Sequence, residues 1–222
     1  MKLAHAIFEP TGNGPHPTIV ALHGWGASAL DLLPLAPYIC RGRFLVLCPQ
    51  GSVETDIGSG MTGYGWFPLR QGGPMDVGAF VAARESLEAF LDACSARYPV
   101  DAKKLVALGF SQGGTMAYSL ALTPPERFAA LVALSTWLPE EVLPLPPASG
   151  ATPEPAILVQ HGSRDERIEV NRARAAVEKL RELHLPITYR EYDMGHEISA
   201  RSLNDLSAWL EEKVLSPIIT AE

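Results

Sequence analysis

Short apolar runs recur along the chain, each followed by a turn and a stretch of helical spacing, and this alternation limits the fold more than any other feature. The runs are 18–22 (TIVAL), 44–48 (FLVLC), 105–110 (LVALGF), 131–135 (LVALS), 156–160 (AILVQ) and 187–192 (ITYREY), with 3–8 as a weaker, edge-like seventh. The middle runs are apolar throughout rather than alternating, the pattern of strands covered on both faces in a parallel sheet. Helical spacing fills the intervals. Val77, Phe80, Val81, Leu87, Phe90, Leu91, Cys94 and Tyr98 mark 76–98; Val170, Ala173, Val177, Leu180 and His184 mark 169–184; Leu203, Leu206 and Leu210 mark 199–213. The 31–39 stretch is helical in composition but carries Pro34 and Pro37. Together these predict an α/β fold in one domain over 1–222, with a mainly parallel central sheet of about seven strands flanked by helices and no large cap domain. A chain of 222 residues is long enough to bury such a core.

Composition narrows the function classes. The formal charge is −7 and no basic cluster is present, which argues against nucleic acid or an anionic membrane as the main partner. The three cysteines, Cys40, Cys48 and Cys94, are too scattered for a disulfide framework or a C-x-x-C pair. The opening MKLAHAIFEP has no signal-peptide core, and no run approaches a membrane span. A soluble cytoplasmic protein without stable membrane insertion is the expectation. Two connections are irregular: 49–74 is long, glycine-rich and carries Trp66 and Phe67, and 139–155 holds six prolines and reads as an extended surface connector.

In open α/β sheets ligands bind beyond the carboxyl ends of the strands. The segments at those ends read HGWG, PQG, SQGG, HGSRD and DMGH. The third belongs to Gly109-Phe110-Ser111-Gln112-Gly113, a G-x-S-x-G sequence between a buried strand and an apolar helix. Such a turn strains the central residue and needs tiny neighbours two positions away. It exposes the serine oxygen at a helix N-terminus, where developing negative charge is favoured. The competing reading is a glycine-rich turn with an N-capping serine.

A serine nucleophile needs a base. Of the six histidines, His5 and His16 lie outside the strand ends, His23 and His161 shape H-G turns, and His184 suits a helix end. His196, in MGHE after the last strand, alone falls late in the chain at the ligand-binding edge. Asp165 in HGSRDERI is the best-placed orienting acid, with Glu166 its nearest rival and a turn or cap role as the alternative. The order Ser111, Asp165, His196 is that of nucleophile, acid and base in hydrolase folds. A second oxyanion donor is expected from LHGWGAS, where the Trp25 amide can turn inward beside that of Gln112.

These segments, LHGWGAS, GYGWFPL, LGFSQGGTMA, LSTWLP, HGSRDERI and GHEIS, resemble in order the motifs of the phospholipase/carboxylesterase family of α/β-hydrolases, which includes acyl-protein thioesterases and small bacterial esterases. The resemblance runs over about 16–212. It implies Ser111, Asp165 and His196 as the triad, the Trp25 and Gln112 amides as the oxyanion hole, and a substrate pocket bordered by Trp66 and Phe67, with Trp25 and Leu138 counted among its contacts. Two departures stand out: HGWGA replaces the family's usual HGLGD, and Thr136 of LSTWLP stands where glycine is usual. A bulky Trp25 is expected to shorten the acyl site.

The implied activity is metal-free and cofactor-free cleavage of a small-molecule ester or thioester of small to medium acyl length through an acyl-enzyme, lost on acidification as the base takes up a proton. The alternatives are a lysophospholipase or thioesterase with long-chain preference, a peptidase, and a non-catalytic binding protein on the same scaffold; a homodimer is left open. Gly58–Gly63 also fits G-x-G-x-x-G, but no helix can follow it, so a dinucleotide site is not expected.

Overall fold

The computed structural model describes residues 3–69, 74–123, 127–139 and 154–216. Its centre is a seven-stranded sheet in the order β1-β3-β2-β6-β7-β8-β9. The strands are β1 (His5–Phe8), β2 (His16–Leu22), β3 (Leu45–Pro49), β6 (Val100–Phe110), β7 (Ala130–Leu134), β8 (Ala156–Gly162) and β9 (Ile187–Tyr192). All neighbours pair in parallel except β1, which runs antiparallel to β3 at one edge. The helices are α1 (Val77–Arg97), α2 (Gln112–Leu122), α3 (Val170–Glu182) and α4 (Ala200–Leu210). This is the expected α/β architecture, and among the described residues no large cap covers it.

The apolar runs hide a period of two. On β2, Val20 and Leu22 face a core shared with α1, α2 and α3, while Ile19 and Ala21 face a second core closed by α4 and the 32–40 segment. Both faces are buried, so both sets are apolar and no alternation is visible in the sequence. Two helix starts carry side-chain caps: Asp76 accepts from the Ala79 N–H at 3.0 Å, and Ser199 from the Ser202 N–H at 3.2 Å.

The structure corrects two expectations. The 31–39 stretch is not an α-helix: it forms 3-10 turns at Leu33–Leu35 and Ile39–Gly42, with Pro34 in the first and left-handed Cys40 (φ 47°) and Arg41 (φ 58°) in the second. The 49–74 connection is not loop throughout; it contains a hairpin of β4 (Val53–Asp56) and β5 (Thr62–Gly65), with the G-x-G-x-x-G segment running from its turn into β5. Most of the proline-rich 139–155 connector lies outside the described residues. Among those described, no helix is long and apolar enough to cross a membrane.

The strand order reverses beside β2: β3 lies on one side of it and β6 on the other. At such a switch point the loops leaving neighbouring strands part and open a crevice. Leu22 of β2 pairs with Gly109 of β6, so HGWG and Ser111 leave the sheet side by side.

Candidate active site

Ser111 is the hinge between β6 and α2. Its backbone sits at φ 55°, ψ −123°, outside the regions open to ordinary side chains. Such strain costs about 1–3 kcal/mol and persists only where neighbours hold it. The Ser111 N–H donates to the Leu134 carbonyl at 2.9 Å, and its own carbonyl accepts from Gly114 N–H at 2.9 Å. The hydroxyl makes no capping bond to α2, which removes the N-cap reading.

The flanking glycines are required sterically. A Cβ on Gly109 would stand 2.1 Å from the Gly113 carbonyl oxygen, and one on Gly113 would stand 2.0 Å from that of Leu22. Both obstacles are backbone, so no rotamer change relieves them. Gly113→Ala is expected to cost about 3 kcal/mol, the upper end of overpacking, read as a lowered denaturant midpoint; an unchanged midpoint would show that α2 can ride further from β2.

The β2 loop packs against this elbow. A Cβ built on Gly24 would meet the Ser111 Cβ at 3.2 Å. His23 fixes the loop: its Nε2 accepts from the Gly51 N–H at 3.0 Å, so its Nδ1–H is the donor to the Gly24 carbonyl at 2.8 Å. The hairpin completes the wall, with the Gly26 N–H bonded to the Tyr64 carbonyl at 2.9 Å and the Tyr64 N–H to the Ala27 carbonyl at 2.8 Å. The Trp25 indole lies directly over Gly65, where a Cβ would come within 2.2 Å of it.

The Gln112 side chain ties the elbow to the segment after β5. It is buried, its Oε1 accepts from the Trp66 N–H at 2.9 Å, and its Nε2 donates to the Phe67 carbonyl at 2.7 Å. Trp66 in turn donates from Nε1 to the His23 carbonyl at 2.9 Å. Trp66 and Phe67, the residues expected to border a substrate pocket, are 2% and 1% exposed, with their rings packed in the core. Leu138 is half-buried against the same core. Next to it, the Arg172 guanidinium stacks over the Trp137 ring at 4.6 Å.

Asp165 and His196 meet across the loops after β8 and β9. The imidazole Nδ1 is 2.7 Å from Asp165 Oδ2. A carboxylate only accepts, so Nδ1 carries a proton, and in the neutral ring Nε2 keeps its lone pair. The Phe110 ring packs on the imidazole at 4.8 Å, bringing His196 beside the residue that precedes Ser111. Asp165 divides its work between its oxygens: Oδ1 accepts from the Arg167 and Ile168 N–H groups, both at 2.9 Å, which holds the turn, while Oδ2 faces the imidazole. The turn contacts and the contact with His196 therefore coexist on one carboxylate. Glu166, the rival acid, is exposed.

His161 is a second histidine on that carboxylate. It is fully buried, with Nε2 at 2.8 Å from the Ile168 carbonyl and 3.3 Å from Asp165 Oδ2. Two oxygen acceptors on Nε2 place the proton there. Its turn-shaping role was legible in the H-G pair; its contact with Asp165 was not.

Burial pulls the His23 and His161 imidazoles below their ordinary range, against the opposing effect of the backbone carbonyls they bond. Burial pushes the Asp165 carboxyl up, but the Ile168 N–H, His196 and the Arg167 N–H together outweigh it and hold it low. The linkage signs follow. Between folded and unfolded imidazole values the unfolded chain binds more protons, so stability falls as pH drops below about 6.5. Asp165 adds stability above about 3.9 that is lost as pH falls through its lower folded value. The thermal midpoint is expected to hold from pH 8 to 7 and decline from about pH 6.5 downward; a midpoint flat to pH 5 would contradict the neutral buried imidazoles.

Among the described residues no group of three or more His, Cys, Asp or Glu is arranged to hold a metal ion. The three cysteines are buried and unpaired.

A sequence model of phospholipases and carboxylesterases matches residues 3–214. The chain belongs to the phospholipase/carboxylesterase family. Within reach of this family lie an acyl-protein thioesterase 1 of Gibberella zeae, 24% identical over 96% of this chain and 97% of that protein, and carboxylesterase SOBER1 of Arabidopsis thaliana, 25% identical over 85% and 78%. Among solved structures, esterase PE8 superposes with a TM-score of 0.79 at 25% identity, covering 96% of this chain and all of that one. The Bacillus cereus carboxylesterase gives 0.79 at 23% identity, covering 94% and 93%, a likeness of fold. The sheet order and the strand-elbow-helix unit are accordingly those of the α/β-hydrolase fold.

Proposed function

We propose that this protein is a serine hydrolase that cleaves carboxylic esters or thioesters through an acyl-enzyme. The observation that carries the reading is the 2.7 Å Asp165–His196 bond beside a strained Ser111 whose hydroxyl is not spent on capping its helix. Ser111 attacks the acyl carbonyl while His196 Nε2 takes its proton. Asp165 holds the Nδ1–H tautomer and steadies the imidazolium. The Gln112 and Trp25 amides receive the oxyanion at the N-terminus of α2, where the helix dipole adds to them. The alcohol or thiol leaves with the proton from His196; water, activated by the same imidazole, then releases the acid.

Trp25 narrows the acyl side, so short and medium acyl groups are the preferred substrates. The identities of the relatives, a thioesterase among them, support esters and thioesters alike as leaving-group classes. The test is covalent labelling by an alkyl fluorophosphonate, mapped by peptide mass spectrometry. The adduct is expected on Ser111; a protein that turns over no ester and takes no label would instead be a binding protein on this scaffold. A panel of p-nitrophenyl esters from acetyl to palmitoyl is expected to show kcat/KM falling at long chains, and a rise toward palmitoyl would overturn the role given to Trp25.

A further inference from the structure

We infer that Thr136 is a positioning residue for the oxyanion hole, acting through the peptide plane between Ser111 and Gln112. The inference rests on the reading of Ser111 as nucleophile and adds a residue to its machinery. Thr136 is 1% exposed, and its hydroxyl donates to the Ser111 carbonyl oxygen at 2.7 Å. That oxygen and the Gln112 N–H belong to one planar, trans peptide unit and point in opposite directions. Whatever fixes the carbonyl fixes the amide.

The end of β7 grips the elbow on both sides. The Leu134 carbonyl takes the Ser111 N–H at 2.9 Å, and two residues later Thr136 donates to the Ser111 carbonyl. The first contact holds the peptide before the serine and the second holds the peptide after it. The chain bends to make this reach: Ser135 is left-handed, at φ 45°, with its N–H tied to the Gln160 carbonyl at 2.9 Å. Gly114 gives the room, since a Cβ there would fall 2.5 Å from Thr136 Cβ. The Ser111 carbonyl then has both acceptor positions filled, by the Gly114 N–H and the Thr136 hydroxyl. A donor on the carbonyl also polarises the peptide and makes its N–H a stronger donor. Glycine, which the family's usual motif carries at this position, can do neither.

Thr136→Val replaces the hydroxyl by a methyl that cannot sit at 2.7 Å from an oxygen, and so tilts the plane. Thr136→Ala removes the donor without added bulk. Thr136→Ser keeps it. Losing one oxyanion donor outright costs about 10²–10³ in kcat, and misaiming one is expected to cost about 10-fold. The measurements are kcat and KM on p-nitrophenyl butyrate, and inhibition by an alkyl trifluoromethyl ketone, whose hemiketal oxyanion mimics that of the tetrahedral intermediate. Valine and alanine are expected to lower kcat about 10-fold with KM unchanged, to weaken the ketone in parallel, and to leave the acid limb of the pH profile where it was, because His196 is untouched. Serine is expected to restore all three. Should valine not fold, alanine decides. A wild type that takes no fluorophosphonate at Ser111 overturns the nucleophile and this inference together. A labelled wild type whose alanine variant keeps kcat within about twofold, or whose serine variant is as impaired as the alanine one, overturns the inference alone.

Discussion

Ser111→Ala is expected to lower kcat by about six powers of ten, the usual cost of removing the nucleophile from a unit whose members act together. What is left is the small catalysis that oxyanion donors and binding supply without it. The fold should be almost indifferent. The hydroxyl caps nothing, and alanine meets the same left-handed φ of 55° that serine does. The unfolding free energy read from denaturant melts should therefore change by less than about 0.5 kcal/mol. Ser111→Gly sharpens the contrast, because glycine bears that φ without penalty. It should abolish turnover while raising stability by about 1 kcal/mol. An inactive but stabilised variant would show that the elbow is strained for chemistry. An alanine variant holding a tenth of the wild-type kcat would remove Ser111 from the mechanism.

The parts of this site that can be read from the chain are those governed by local sterics and chain order. Gly109 and Gly113 announce the elbow because a backbone carbonyl stands about where each Cβ would be. Asp165 and His196 follow from their places after β8 and β9, since a parallel sheet brings those ends to one edge. The strands were legible because both faces are buried, and for the same reason the sequence could not say which side chains face which core. The hairpin was missed: Val53–Asp56 and Thr62–Gly65 are four residues each and carry no apolar run. The contacts of Gln112 with Trp66 and Phe67, of Thr136 with Ser111, and of His161 with Asp165 each join residues whose spacing carries no periodic signal. Buried polar side chains at the strand ends, Gln112 and Thr136 among them, were the available hint, because a polar group placed among apolar runs must find a partner.

Asp165→Asn is expected to lower kcat by about four powers of ten with KM little changed. The reason lies in which way the new amide must face. The Arg167 and Ile168 N–H groups both point at Oδ1, so the asparagine carbonyl has to take that position. Its NH₂ then replaces Oδ2 and faces His196 Nδ1 and His161 Nε2. His161 cannot adapt cheaply, because its Nε2–H is already committed to the Ile168 carbonyl. His196 can, by moving its proton to Nε2 and accepting at Nδ1. That tautomer has no lone pair to offer Ser111, so the base is lost while the turn, the oxyanion donors and the substrate surface stay in place. The prediction separates orientation from mere charge: Asp165→Glu keeps the charge but lengthens the side chain by one methylene in a site where the present carboxylate is bound at both oxygens, and it should also fall well below wild type. Stopped-flow and steady-state rates on a short p-nitrophenyl ester, with the thermal midpoint as control, measure both. An asparagine variant within about tenfold of wild type would mean that another group sets the His196 tautomer.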